Sequence, residues 1–231
     1  MNRTLDVVSS FAISALRYPL GYNAARVGAR PAQPLVLYEF EGCPFCRKVR
    51  EALTMLDLDA EIRPCPKGGQ RFREEVKAKG GKAQFPYLVD PNTGASMYES
   101  DDIITYLYKQ YGTKRPFAFH WTAPGTLLTA PLTAAARGTL GSRVRKSRLP
   151  QQPLELYNME ISPYCRIVRE VLCELELPYL MRSVGRRSPN RPAFLARAGK
   201  MMVPFLVDPN TNTQMFESAE IKAYLNKTYA L

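Results

Sequence analysis

The stretch LVLYEFEGCPFCRKVRE at residues 35–51 decides how the rest of the chain is interpreted. It returns as LELYNMEISPYCRIVRE at residues 154–170, 119 positions later. Two further segments return in the same order: PYLVDPNT at 86–93 becomes PFLVDPNT at 204–211, and MYES at 97–100 becomes MFES at 215–218. Self-similarity at a nearly constant spacing indicates an internal duplication. The sequence therefore predicts two copies of one folded module.

Each copy has the element order β-α-β-α-β-β-α. In the first copy, apolar runs and turn residues predict strands at 35–41, 60–64, 87–90 and 96–98, whereas helical periodicity predicts helices at 43–58, 71–79 and 100–111. A strand that leads into Cys-x-x-Cys at a helix start, within a βαβ pattern, is typical of thioredoxin-like proteins. We therefore expect an α/β protein built of two tandem thioredoxin-fold modules.

The domain organisation follows from the repeat. We predict modules at 34–112 and 153–231, each preceded by a basic leader, at 1–33 and 113–152. The leaders match loosely, with ALRYPLG at 15–21 opposite AARGTLG at 135–141. This match favours a short amphipathic helix at 5–16 with a counterpart at 126–136. Two unrelated basic linkers are the alternative.

Composition and charge limit the function classes. A hydrophobic fraction of 45% and a charged fraction of 23% are typical of a globular protein and exclude general disorder. The net charge of +11 is concentrated in the leaders, so we expect no nucleic-acid partner for the near-neutral modules. The leaders could dock on an acidic protein or an anionic membrane surface. Five cysteines are too few for a secreted disulfide framework and favour a reducing compartment.

The two cysteines of the first motif are the candidate catalytic residues. Cys43 should lie at a helix start, where unpaired N–H groups and the helix dipole favour a thiolate. Cys46, one turn later, can resolve a mixed disulfide, and Arg47 should add positive charge. Two inert buried thiols are one alternative. A zinc site is another, but it needs four ligands and the chain has a single histidine, His120.

Two prolines are candidates for contact with a peptide-like ligand. Pro86 and Pro204 each precede a strand that should run beside the Cys-x-x-Cys helix. A cis proline at these positions would leave the amide and carbonyl of Phe85 and Val203 free to pair with such a ligand. An ordinary trans proline at the start of an edge strand is the alternative.

The last helix of each copy begins with Glu-Ser, and this pair is a candidate for binding an amino acid. Helix-start N–H groups and a serine hydroxyl can bind a carboxylate, and an adjacent glutamate can receive an α-ammonium. Glu99 with Ser100, and Glu217 with Ser218, therefore suit a γ-glutamyl group. Simple helix capping by the serine is the alternative.

The motifs resemble known families. CPFC followed by arginine resembles dithiol glutaredoxins, and the PYLVD…YES pattern resembles the N-terminal domain of glutathione S-transferases. The whole chain resembles tandem, glutaredoxin-like glutathione S-transferase N-domain proteins of chloroplasts and cyanobacteria, which share YEFEGCPFC at 38–46 and CPKG at 65–68. The resemblance implies glutathione as cosubstrate, no metal, and a chloroplast location, in the stroma or at the thylakoid surface.

The expected glutathione contacts combine the motifs with nearby basic loops and the serine of the second motif. They are Lys67, Arg71, Phe85, Pro86, Glu99, Ser100, Ser162, Val203, Pro204, Glu217 and Ser218. Lys67 and Arg71 would receive the glycyl carboxylate, or as loop charges they are simply solvated. Ser162 replaces the first cysteine, so the second copy cannot run a dithiol cycle.

The resemblance and its departures favour a glutathione-linked thiol–disulfide oxidoreductase with one dithiol site and a degenerate second module. We expect a glutathionylated or disulfide-bonded protein as its substrate. We also expect no helical C-terminal domain of the transferase kind, which makes conjugation of electrophiles a weaker alternative. A non-catalytic scaffold or assembly factor is another alternative. Iron–sulfur cluster handling is a further one, disfavoured by Pro44.

Overall fold

The chain was analysed as a computed structural model that describes residues 9–10, 21–25, 27–113 and 139–231. The predicted leader helices at 5–16 and 126–136 lie outside these ranges, apart from Ser9 and Ser10. None of the helices in the described ranges is long and apolar enough to cross a membrane.

The first module has the predicted β-α-β-α-β-β-α order. Its elements are β1 (Leu35–Glu39), α1 (Pro44–Leu56), β2 (Ala60–Pro64), α2 (Arg71–Gly80), β3 (Tyr87–Asp90), β4 (Ala95–Met97) and α3 (Ser100–Tyr111). Helix α1 ends earlier than predicted because Asp57 adopts a left-handed conformation, with φ of 55° and ψ of 39°.

The second module repeats this order and confirms the predicted duplication of an α/β fold. Its elements are β5 (Leu154–Asn158), α4 (Pro163–Glu174), β6 (Tyr179–Ser183), α5 (Arg191–Ala198), β7 (Phe205–Asp208), β8 (Thr213–Phe216) and α6 (Ser218–Tyr229).

The strands of both modules form one eight-stranded sheet in the order β4-β3-β1-β2-β6-β5-β7-β8. Within each module the first two strands are parallel and the remaining pairs are antiparallel. The modules join through antiparallel pairing of β2 with β6, in which Ala60 is opposite Met181 and Ile62 opposite Tyr179. Each module would otherwise end in an unpaired strand at this edge, and the pairing satisfies its backbone groups.

One face of the sheet carries a core that both modules share. Strand side chains alternate between the faces, so Leu35 and Leu37 of β1 and Leu154 and Leu156 of β5 enter the same buried cluster. The opposite face carries two separate apolar clusters, one around Tyr87 in the first module and one around Phe205 in the second. The shared core binds the modules into one folded unit.

The segment before each module crosses to the other module. The backbone N–H of Ala24, which precedes the first module, donates to the carbonyl of Arg186 in the second at 2.7 Å. The N–H of Lys67 in the first module donates to the carbonyl of Ser142, which precedes the second, also at 2.7 Å. The two crossings are equivalent under the repeat.

Beneath the shared face lies a buried group of four charges, here termed the intermodule ion cluster: Arg50, Arg169, Glu41 and Glu160. Arg50 contacts Glu160 at 2.9 Å and Glu41 at 3.0 Å. Arg169 contacts the same two carboxylates, each at 3.0 Å. All four side chains are almost completely buried. Each arginine is therefore neutralised jointly by both modules, which is the arrangement that a buried charge requires.

One position beside the cluster differs between the copies. Arg169 donates to the amide oxygen of Asn158 at 3.1 Å, whereas Arg50 donates to the carboxyl of Glu39, the equivalent residue. Burial opposes ionisation of Glu160, but the two arginines outweigh it and lower its pKa to about 2. Burial raises the pKa of Glu39 to about 8 despite the attraction of Arg50. Glu39 is thus the neutral counterpart of Asn158.

Replacing Glu39 by glutamine should remove a pH dependence of stability. Between its ordinary pKa of 4.5 and its folded value near 8, Glu39 keeps a proton in the folded state that the unfolded chain releases. Wild-type stability therefore falls with rising pH in this window. From about pH 5.5 to about pH 7.5, Glu39→Gln should gain about 2 kcal/mol in unfolding free energy relative to wild type.

Urea denaturation at the two pH values measures this difference. Glu75→Gln, which removes a carboxylate outside the intermodule ion cluster, is the control and should leave the wild-type pH dependence unchanged. A pH-independent difference between Glu39→Gln and wild type would contradict the assignment of a neutral Glu39.

Candidate functional site

The first Cys-x-x-Cys motif lies where β1 delivers the chain to the start of α1. Cys43 is the N-cap residue, with φ of −84° and ψ of 120°, and Pro44 is the first helical residue. Proline suits this position because its absent N–H would have no helical partner. The Cys43 sulfur accepts the backbone N–H of Cys46 at 3.3 Å. The predicted placement of Cys43 at a helix start is confirmed.

The two thiols have opposite pKa shifts. The hydrogen bond from the Cys46 thiol, followed by the backbone N–H groups of Cys46 and Phe45, lowers the pKa of Cys43 and outweighs burial. Burial, followed by the interaction with Cys43, raises the pKa of Cys46 well above its usual range. Of the two thiols, Cys43 therefore ionises more readily, whereas Cys46 holds its proton more tightly. This division of roles is the one that dithiol exchange requires.

An arginine that the sequence did not single out acts on Cys43. The Nε of Arg47 lies 3.2 Å from Glu51 and 3.7 Å from Glu160. Arg50, a member of the intermodule ion cluster, contributes to lowering the pKa of Cys43. Arg47 thus lies against buried carboxylates on its own helix and on the second module.

The second motif reproduces the geometry without the nucleophile. Ser162 is the N-cap of α4, and its hydroxyl oxygen accepts the backbone N–H of Cys165 at 3.3 Å. Cys165 is fully buried, and burial raises its pKa. The helix start is therefore retained, but a hydroxyl occupies the place of the thiolate.

The remaining two cysteines are core residues. Burial raises the pKa of Cys65 and of Cys173. The Cys173 thiol donates to the carbonyl of Gly141 at 3.2 Å. Cys65 directly follows β2, and its side chain is fully buried. All five cysteines lie in the described ranges, and no disulfide joins them there.

On the ligand side of the first module, Phe85–Pro86 is a cis peptide, as predicted. Glu99 has a φ of +62°, a conformation that residues other than glycine rarely adopt, and such backbone strain is concentrated at functional sites. Ser100 follows as the first residue of α3 and is buried. The side-chain amide of Gln84 donates to the Glu99 carboxylate. The structure thus gives the Glu-Ser pair a specific backbone geometry.

The second module has the same features around an open cavity of about 330 Å³. Val203–Pro204 is cis, and Glu217 has a φ of +66°. The cavity is lined by Tyr164, Met202, Val203, Pro204, Glu217 and Ser218. Four of these six are residues that the sequence predicted. The sequence reasoning missed Tyr164 and Met202, although the exposed aromatic residue inside S-P-Y-C was an available signal.

The two basic residues expected to contact glutathione in the first module, Lys67 and Arg71, both contact the other half of the chain. The guanidinium of Arg71 donates to the Ser147 hydroxyl at 2.8 Å and to the Leu175 carbonyl at 3.2 Å. Lys67 is exposed, and its backbone pairs with the segment before the second module. Arg71 therefore contacts the end of α4 across the module boundary. Binding of a glycyl carboxylate by Lys67 and Arg71 stays a prediction.

Within the described ranges, no group of three or more His, Cys, Asp or Glu side chains is arranged to hold a metal ion.

The chain is similar to glutathione transferases. The sequence model of the glutathione S-transferase N-terminal domain matches residues 37–115 and again residues 156–231. A glutathione transferase structure from Bombyx mori is 25% identical, covers 45% of this chain and 50% of its own, and has a TM-score of 0.34. A delta-class glutathione transferase from Nilaparvata lugens is 28% identical over 46% of this chain and 49% of its own, with a TM-score of 0.32.

Isozyme E7 of Drosophila melanogaster glutathione S-transferase is 18% identical over 84% of this chain and 96% of its own, with a TM-score of 0.32. This chain thus spans about half the length of the first two transferases. No curated protein matches it. Because the family model matches two tandem segments that together exceed half of the sequence, this chain belongs to the glutathione S-transferase N-terminal domain family.

Proposed function

We propose that the protein is a glutathione-linked thiol–disulfide oxidoreductase with its dithiol site in the first module. This proposal rests on one observation: two thiols lie at one helix start, and their pKa values are shifted in opposite directions. Cys43 has a lowered pKa and Cys46 a raised one, and the Cys43 sulfur lies 3.3 Å from the Cys46 backbone nitrogen. A thiolate beside a protonated resolving thiol favours disulfide exchange over metal binding or a purely structural role.

The reaction balances without an external oxidant. The Cys43 thiolate attacks one sulfur of a protein–glutathione disulfide, forms a new disulfide with it and releases the other sulfur as a thiolate. Cys46 then loses its proton and attacks Cys43, releasing the bound thiol and leaving a Cys43–Cys46 disulfide. Two molecules of glutathione reduce that disulfide and are themselves oxidised to glutathione disulfide. Alternatively, a second glutathione attacks the first mixed disulfide directly.

Glutathione recognition is proposed at the Glu-Ser helix starts. The γ-glutamyl carboxylate would meet the first N–H groups of α3 or α6 with Ser100 or Ser218, and the α-ammonium would meet Glu99 or Glu217. The cavity in the second module is large enough to admit part of such a ligand. The second module is therefore proposed to bind glutathione without carrying out exchange.

The cellular setting is proposed from the family resemblance. A chloroplast location, with a glutathionylated or disulfide-bonded protein as substrate, fits a dithiol site that glutathione keeps reduced. The basic leaders would dock the protein on an acidic partner or an anionic membrane surface.

A second candidate function is a non-catalytic assembly factor. It is favoured by the burial of Cys43, whose exposed fraction is only 5%. In that case the same fold would present Phe45 and Tyr164, which are 41% and 47% exposed, as contact residues for a partner protein. The first experiment below separates the two functions.

Replacing Cys43 by serine should abolish reduction of a glutathionylated peptide in an assay coupled to glutathione reductase. The expected rate falls to that of glutathione alone, because a hydroxyl is not a competent nucleophile at this site. Ser162→Ala is the matched control at the equivalent position of the second module and should retain the wild-type rate. Wild-type activity no greater than that of free glutathione would exclude the enzymatic function.

The pH profile of Cys43 alkylation tests the thiolate directly. Iodoacetamide should react with Cys43 with a midpoint below the value of about 8.5 for a free thiol, because the helix-start hydrogen bonds favour the charged form. Peptide mapping separates Cys43 from the other four cysteines. A midpoint at or above about 8.5 would show that the site is not activated.

Calorimetric titration with reduced glutathione tests the second site. The Cys43→Ser protein should bind two molecules. Glu99→Arg and Glu217→Arg change exposed residues at equivalent positions, and each should remove one binding site, because the ammonium of the ligand would face a positive charge. A stoichiometry unaffected by Glu217→Arg would show that the cavity of the second module is not a glutathione site.

A further inference from the structure

The loop that leads into Cys43 is held by the second module. Nε and Nη2 of Arg169 lie 3.0 and 3.1 Å from the two carboxylate oxygens of Glu41. The backbone N–H of Glu41 also donates to the sulfur of Cys173 at 3.4 Å. Arg169 and Cys173 both belong to α4, whereas Glu41 is two residues before Cys43. The side chain and the backbone of this loop are therefore both fixed by one helix of the other module.

The segment before the second module closes on the same loop. The N–H of Gly42 donates to the carbonyl of Gly141 at 3.1 Å. A Cβ atom on Gly42 would lie 2.0 Å from the Ser142 hydroxyl, and one on Gly141 would lie 2.9 Å from the Glu41 Cβ. A side chain at either glycine would therefore collide with a neighbouring side chain across this contact. The loop before Cys43 thus has little room to shift.

The contacts that hold this loop also involve Arg50, the charge that acts on the Cys43 thiol. Arg50 contacts Glu41 at 3.0 Å and Glu160 of the second module at 2.9 Å. The positive charge of Arg50 contributes to the lowered pKa of Cys43. Removing the partner of a buried charge forces the remaining groups to rearrange. A change in how Arg169 holds Glu41 would therefore alter the position of the loop and of Arg50 together.

We propose that Arg169 is a positioning residue for Cys43, so that the second module completes the redox site of the first. By holding Glu41 through two parallel hydrogen bonds, Arg169 fixes the loop in the conformation in which the Cys43 sulfur receives the helix-start N–H. A bidentate arginine–carboxylate pair supplies the directional restraint that this role needs. The inference deepens the proposed function and rests on it only in taking Cys43 as the reacting group.

The duplication makes this role asymmetric. Arg50 holds Glu160 in the second module just as Arg169 holds Glu41, and the N–H of Ile161 donates to Gly21 at 3.4 Å. That loop leads to Ser162, which cannot perform thiol chemistry. Of these two equivalent arginine–glutamate contacts, only the one made by Arg169 positions a nucleophile.

The test compares Arg169→Lys with Arg182→Lys in the full chain. Arg169→Lys keeps the charge but loses the bidentate geometry. Arg182→Lys is the matched control, because Arg182 also forms an intermodule ion pair, with Asp59 at 2.9 Å, but on the opposite face of the sheet. The readouts are the midpoint of the Cys43 alkylation profile and kcat/KM for a glutathionylated peptide.

Arg169→Lys should raise the alkylation midpoint by about one pH unit and lower kcat/KM about tenfold, in proportion to the loss of thiolate. Arg182→Lys should leave the midpoint unchanged and kcat/KM within about twofold of wild type, since its contact does not touch the Cys43 loop. A folded Arg169→Lys protein with the wild-type profile would overturn the proposal. An equal shift in Arg182→Lys would overturn it as well, because the effect would then be a general loosening of the interface.

Cys173→Ala provides a second variant should Arg169→Lys fail to fold. It removes the sulfur that accepts the Glu41 N–H and should also raise the midpoint, whereas an unchanged midpoint in the folded variant would overturn the proposal. The wild-type profile separates this inference from the proposed function. A wild-type midpoint at the free-thiol value would contradict the function itself, whereas a lowered wild-type midpoint that both variants retain would contradict only the positioning role.

Discussion

Two buried arginines, each neutralised by one carboxylate from its own module and one from the other, are the constraint on which this structure depends. Arg50 and Arg169 have no access to solvent. If the modules were separated, each arginine would lose the carboxylate that the other module supplies. Breaking a buried pair by removing one partner typically costs several kcal/mol. The shared core and the β2–β6 pairing surround these charges, which makes the two modules one unit of folding.

The two copies differ at a residue proposed to carry the chemistry, but they keep the same charged residues at the interface between the modules. Glu41 and Glu160, like Arg50 and Arg169, are equivalent pairs that both copies keep. Cys43 is replaced by Ser162 in the second copy. The first copy therefore holds the cysteine pair proposed to be redox-active, and the second copy holds a cavity beside the same Glu-Ser helix start.

The element order, the two cis prolines and the helix-start position of Cys43 could be predicted from the sequence, because each depends on local patterns that the repeat displays twice. The pairing of β2 with β6 could not, since a single sequence does not specify which strand edges meet. The buried arginines were missed for a related reason. In RKVRE and RIVRE the arginines resemble solvated charges on a helix surface. That surface becomes buried only because the other module packs against it.

Arg71 and Arg47 illustrate the same limit. Both were assigned local roles from their positions in the sequence, yet Arg71 donates to carbonyl groups at the end of α4, and Arg47 lies beside buried carboxylates. Long basic side chains at a module boundary contact whichever acceptor groups the other module presents. The helix-start position of Cys43 could be predicted because a helix start imposes its hydrogen bonds locally.

The central claim is that thiol chemistry in this doubled fold is confined to Cys43 and its partner. Mass-spectrometric mapping after incubation with glutathione disulfide tests it most directly, since it identifies which sulfur has reacted. The account predicts a glutathione adduct on Cys43, or a Cys43–Cys46 disulfide, with Cys65, Cys165 and Cys173 unmodified in the folded protein. An adduct on Cys165, or no modification of Cys43 at all, would contradict it.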